Sequence, residues 1–193
     1  MPDVDTAAVE THLRAALGRD SGRASVTFLG TERIDVLRFG PDSAGLVRYA
    51  TVGMSRWAMT DPLAGVVDQG AGPRAELVLT VRGKRDGVAR TLAVLAAAPS
   101  VEGLVVAAGA SLDLGEPLWP GAACSSVLVG APGGLVSDLA MPDAEPVRFF
   151  PVLPMTATEA AWKRVHGAAA LEQRWLDCGV DVRDPDRTAV KFS

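Results

Sequence analysis

The chain is poor in the residues that carry most chemistry: its 193 residues include two histidines, two cysteines and one tyrosine, and aromatic side chains make up 5%. Cys124 and Cys178 offer no second pair for a metal knuckle or a disulfide framework, so both are expected as free, buried thiols in a reducing cytoplasm. His12 and His166 fall on predicted helices without a Cys, His or acidic partner at zinc-ligand spacing, which assigns them structural or surface places. No metal or cofactor is expected. The longest uncharged apolar tract, Leu92 to Pro99, is far shorter than the roughly 20 residues a membrane helix needs, so no membrane partner is expected. The N-terminal Met-Pro-Asp-Val-Asp-Thr has neither a basic leader nor an apolar core, and the expected location is cytoplasmic. Lysine and arginine (19) are outnumbered by aspartate and glutamate (23), for a net charge of -4, and are scattered, which argues against a nucleic-acid partner. The densest basic group, Arg82-Gly-Lys-Arg85, runs straight into Asp86 and reads as a solvated loop tip.

Catalytic motifs are equally scarce. Gly53-Met-Ser-Arg-Trp57 begins like a nucleophile elbow, but that turn needs glycine two residues after the serine and Trp57 stands there. Ala131-Pro-Gly-Gly134 lacks the Lys-Ser/Thr end of a phosphate loop and reads as a turn.

What the chain does have is a globular composition, 48% hydrophobic and 22% charged. It shows no repeat, low-complexity segment or domain boundary, so residues 1–193 are expected to form a single domain. Asp5 can cap a helix running to Leu17 that Gly18 ends. Strands are predicted at 25–29, 34–39, 46–52, 74–81 and 124–129, a short one within 109–121, and a last one at 147–153 ending at Pro154. A glycine- and proline-rich loop is predicted over 60–73. A helix from Val88 to Ala98 is expected to stop at Pro99, and residues 101–108 fit a helix or a buried strand equally.

Thr156-Ala-Thr-Glu159 fits a capping box, in which the threonine accepts from the N3 amide and the glutamate reaches back to the cap amide. It predicts a helix from Ala157 to about Asp177, burying one stripe of Trp162, Val165, Ala169 and Leu176 and another of Ala168, Leu171, Trp175 and Cys178. Gly167 would lie inside that helix, where close packing against another backbone could explain it. The tail after Gly179 reads as polar and irregular. Glu76 interrupts an otherwise apolar strand. It is either an exposed residue on the strand's polar face or a buried carboxylate paired with Arg48 or Arg56.

Thr51-Val-Gly-Met-Ser55, Ala75-Glu-Leu-Val-Leu79, Phe149-Phe-Pro-Val-Leu-Pro-Met-Thr-Ala-Thr-Glu159 and Asp184-Pro-Asp-Arg187, in that order, resemble the suppressor-of-fused family in its short bacterial form, from about residue 30 to 187. The resemblance implies an α/β fold of the α+β type, a single mixed, mainly antiparallel sheet with helices packed on it. The family's animal member is a signalling regulator that clamps a transcription-factor peptide between two lobes. Bacterial members are similar to immunity proteins encoded beside polymorphic toxins. This chain is too short for a second lobe.

The resemblance and the scarcity of catalytic groups together imply a non-enzymatic module that binds a protein partner, such as a cognate toxin. Its acidic charge would suit a basic partner. The candidate binding residues are Gly53, Met54, Ser55, Arg56 and Trp57, which leave the third strand, together with Glu76. Irregular segments held by a rigid sheet commonly carry recognition. Met54 and Trp57 would equally serve as plugs of the core. The alternative is a small hydrolase or transferase using Glu76 or Asp61 as a base, and a third reading is an oligomerisation domain. The oligomeric state is left open.

Overall fold

A computed structural model of the chain describes residues 4–61, 63 and 71–192. Its centre is one mixed sheet of eight strands, ordered β1 (Asp20–Val26), β2 (Ile34–Phe39), β3 (Leu46–Val52), β4 (Arg74–Arg82), β8 (Ala144–Thr156), β6 (Cys124–Val129) and β5 (Ser111–Asp113), with β7 (Leu139–Met141) paired to the first part of β8. Only β4 and β8 run parallel; the other pairs are antiparallel. The expected fold class is therefore the observed one.

The layers follow from the period-2 alternation of the strands. On one face Val47, Leu77, Leu79, Val81, Val129 and Val152 pack against Leu92, Leu95 and Ala96 of α2 (Val88–Glu102). On the other, Leu37, Phe39, Val78 and Phe149 pack against Val9 and Leu13 of α1 (Thr6–Leu17), which Asp5 caps through the Ala7 amide. Farther along that face, Leu128 and Met155 meet Leu171 and Trp175 beneath α3 (Ala157–His166) and α4 (Ala168–Asp177).

Several sequence expectations are corrected here. The first strand is Asp20–Val26 rather than 25–29, because β1 is an edge strand whose alternation is carried by small and polar residues. Leu29 lies in the turn beyond it, fully exposed. The last strand does not stop at Pro154 but runs to Thr156. Pro151 and Pro154 fall just beyond the paired part of a neighbouring strand, so their missing N–H costs no ladder bond. Pro151 turns its carbonyl to the Gly130 amide just past β6, and Pro154 turns its carbonyl to Arg187 just past the paired part of β4. Pro99 does not stop α2 either. One more turn runs to Glu102, closed by the Gly103 amide on the Pro99 carbonyl, and residues 103–108 are neither helix nor strand.

The predicted 157–177 helix is broken at Gly167, whose φ of 89° ends α3 and admits α4. A Cβ there would meet nothing within 4 Å, so backbone conformation and not close packing calls for glycine. The break reorients the two stripes: Leu171 and Trp175 are buried, whereas Val165 and Leu176 are exposed. Cys124 is buried as expected, its thiol pushed up to about 11 by burial, but Cys178 is exposed. Arg82 and Arg85 are not a free loop tip; they pair with Asp181 and Asp186 of the C-terminal tail. His12 stacks on Phe149 and bonds to the Ser137 carbonyl, and His166 stacks on Trp162. The predicted 60–73 loop falls mostly outside the described residues.

Candidate functional site

β3 ends at Val52, and Gly53 turns the chain with a φ of 123° into a 3-10 turn over Met54–Arg56. A side chain there would be strained by that φ and would bring a Cβ to 3.0 Å from the Arg33 carbonyl oxygen. Gly53→Ala is expected to cost about 2 kcal/mol of stability, measured by urea unfolding, whereas Gly18→Ala, which shares a positive φ but has open space, serves as the control for the contact with Arg33.

The turn is fastened from beneath by Glu76. This carboxylate is fully buried, and its oxygens accept from the Thr51 hydroxyl at 2.6 Å, the Gly53 amide at 2.9 Å, the Ser55 amide at 3.0 Å and the Ser55 hydroxyl at 2.7 Å. Thr51 Oγ1 in turn accepts from the Leu77 amide at 2.8 Å, tying the turn to β4. Arg74 holds the outer side, donating from Nη1 to the Ser55 and Arg56 carbonyls at 2.9 and 2.6 Å. Burial pushes the Glu76 carboxyl above its usual range, and the hydrogen bonds from Ser55, Thr51 and Gly53 oppose that rise in part.

Both arginine partners expected for Glu76 are corrected: Arg48 pairs with Asp42 and Arg56 with Glu32. The expected alternative of an exposed Glu76 is corrected as well. A carboxylate with no exposed surface and four donors on it is not presented to a substrate. Asp61, the other base considered, is exposed and accepts from the Leu63 amide.

Above the turn opens a cleft of about 400 Å³. Gly53, Met54 and Trp57 form one wall, Gly30, Thr31 and Glu32 another, and Ala96, Pro99, Ser100 and Gly103 of the α2 end a third. The two readings of the apolar pair divide between its members. Met54 is 7% exposed and plugs the core, while Trp57 is 52% exposed and stands at the cleft. The structure thus brings the candidate residues together, with Glu76 and Ser55 below the surface and Trp57 on it.

A second buried polar centre lies at the start of α3. Thr156 and Glu159 form the predicted capping box. The Glu159 carboxylate also accepts from both Nη atoms of Arg187 at 2.7 and 2.8 Å, from Trp175 Nε1 at 3.2 Å and from the Val190 amide at 3.1 Å. Burial raises this carboxyl, but the Arg187 guanidinium and the Thr156 and Val190 amides outweigh it and hold the group below its usual range. Reading the residues locally finds the cap and misses Arg187, 28 positions away. The Asp184-Pro-Asp-Arg187 motif was the available signal. Among the described residues no group of three or more His, Cys, Asp or Glu is placed to hold a metal ion, and no helix is long and apolar enough to cross a membrane.

A mixed sheet covered on both faces by helices, presenting a pinned turn beside an open cleft, defines an α+β scaffold. The chain belongs to the suppressor-of-fused protein (SUFU) family, whose model matches residues 30–188. Solved structures share the fold. A SUFU homolog from Neisseria gonorrhoeae superposes with a TM-score of 0.71 at 19% identity, over 97% of each chain. The Sufu-Fu complex structure matches with a TM-score of 0.68 at 14% identity, over 98% of this chain and 93% of the other. Drosophila Suppressor of Fused matches with a TM-score of 0.63 at 14% identity, over 94% of this chain, which spans 50% of the Drosophila one. No curated protein sequence matches the chain.

Proposed function

We propose that this protein is a non-enzymatic binding module that engages a protein partner through the cleft bordered by Gly53–Trp57, and that it acts as a cytoplasmic immunity protein neutralising a cognate toxin by stoichiometric binding. The observation that carries the reading is the placement of exposed apolar side chains. Trp57 lines the cleft at 52% exposure, and Leu29 (106%) and Val101 (64%) each adjoin a residue that lines it. A large apolar side chain exposed beside a concavity suits an interaction surface, and aromatic anchors supply much of the energy in such contacts. The pinned turn suits this role, because a pre-ordered surface loses less conformational entropy on binding. That a related fold occurs in a complex of Sufu with Fu supports a protein as the partner class.

The test is co-expression with the products of neighbouring genes, affinity purification and mass spectrometry, repeated with Trp57→Ala. A stable stoichiometric complex is expected with the native chain. Trp57→Ala is expected to weaken it by about 2 kcal/mol, roughly thirtyfold in Kd, as an aromatic anchor should. Its melting temperature should fall by only a few degrees, since about half of the residue is already in water. A complex indifferent to Trp57→Ala would place the binding surface elsewhere.

A further inference from the structure

The end of α2 separates two concavities. Ala96, Pro99, Ser100 and Gly103 face the cleft already described, whereas Val94, Ala98 and Glu102 face a second groove of about 340 Å³ that reaches Leu104, Leu112, Asp113 and Leu114 beside the edge strand β5. Val101 (64% exposed) stands at the end of the helix between them, and Val105 (36%) follows shortly after it. The helix end is therefore a ridge with a trough on each side, each of mixed polar and apolar lining.

The charged residues that line the two sides of this ridge have one sign. Among the described residues, Glu32 lines the first cleft, Glu102 and Asp113 line the second, and neither is lined by lysine or arginine. Glu32 is partly neutralised by Arg56, but Glu102 and Asp113 are both exposed. The carbonyls of the last turn of this 15-residue helix add partial negative charge at the same end. A neutral apolar ligand would gain nothing from that field, and an acidic one would be repelled.

We infer that the α2 ridge is gripped from both sides by one partner segment that carries a bulky apolar side chain close to a lysine or arginine. The apolar group enters the trough beside Trp57, and the cation settles against Glu102 and Asp113 across the ridge. This inference rests on the protein-binding reading of the cleft and adds to it the chemistry of the occupant and a second contact surface. It also locates the attraction for a basic partner that the net charge alone leaves spread over the whole surface.

The probe is a phage-displayed random peptide library panned on the full chain, followed by a fluorescent synthetic peptide of the selected consensus. A consensus that sets Trp, Phe or Leu within a few residues of Lys or Arg is expected. Raising salt from about 50 to about 300 mM should weaken that peptide about fivefold. The double variant Glu102→Lys, Asp113→Lys should weaken it about tenfold, and a peptide with Glu in place of its cation should recover the loss. Both positions are exposed, and the change removes only the hydrogen bond that Asp113 Oδ1 accepts from the Gly115 amide, so the fold is not at stake. A consensus without Lys or Arg, or an affinity unmoved by the double variant, overturns the inference. If Trp57→Ala abolishes binding while the double variant does not, the cleft stands as the site and the ridge is excluded. If the selected peptide ignores both changes, or none is enriched, both readings fall.

Discussion

Arg187→Met is expected to be the most destabilising substitution in the C-terminal tail, although the residue belongs to a segment without helix or strand. The guanidinium is 6% exposed and meets a carboxylate that is fully buried. Removing the cation leaves Glu159 charged in a low-dielectric site, which costs about 3–5 kcal/mol, more than the pair itself contributes. The Pro154 carbonyl loses its 2.6 Å donor, and Trp175 loses the cation lying 5.5 Å from its ring centroid. A loss of about 4 kcal/mol should lower the melting temperature by roughly 10 °C in a chain of this size.

The companion variant Glu159→Gln, Arg187→Met removes both charges while keeping an acceptor for one of the two amides that Glu159 serves. It should recover about half the loss, and calorimetry on the four proteins of the double-mutant cycle measures the coupling. Acid behaviour provides a second readout. Glu159 is held below its ordinary range, so its contribution is present above the unfolded value and lost as pH falls through the folded one. The native chain should lose stability in that acid window, and the double variant should lack this component.

Glu76→Ala is expected to have an effect of similar size. It strands the Gly53 and Ser55 amides and two hydroxyls that now converge on one carboxylate, and it opens a cavity beneath the turn. Unsatisfied buried donors cost about 1–3 kcal/mol each before relaxation, so a total of about 4 kcal/mol is expected by urea unfolding. Glu76→Gln keeps the shape and one acceptor, and should cost only about 1 kcal/mol because one bond to Thr51 is reversed. Its pH dependence should run opposite to that of Glu159. The folded carboxyl is raised by burial, so its contribution is complete below the unfolded value and is lost as pH rises through the folded one. Stability should decline over that window in the native chain and stay flatter in Glu76→Gln. A native chain whose stability rose over the same window would contradict this account of Glu76.

Legibility from sequence tracked how local the cause was. The α1 cap, strands β3 and β4 and the Thr156–Glu159 box depend on neighbours within a few residues, and all were readable. Misreadings came where a distant partner decided. Edge pairing with β2 moved the first strand, staggered neighbours let β8 run through its prolines, and the positive φ of Gly167 divided one apparent helix into two. The segment Gly53–Trp57 could be nominated because irregular chain leaving a strand is visible in sequence. That Met54 would face inward and Trp57 outward was not, since both are large and apolar and only the cleft tells them apart.

Glu76 and Glu159 mark the same boundary. Composition, periodicity and capping chemistry were enough to establish a globular chain of strands and helices poor in catalytic groups, to place Glu159 at a helix start and to place Glu76 inside an apolar strand, while the α+β class came from the family resemblance. Which charge each would meet was a matter of folding. Glu159 acquired Arg187 because the tail returns over α3, and Glu76 acquired the turn's own donors because β3 bends back across β4. Burial makes an unpaired carboxylate costly, so each had to find donors, but only the three-dimensional path of the chain decided which donors came within reach.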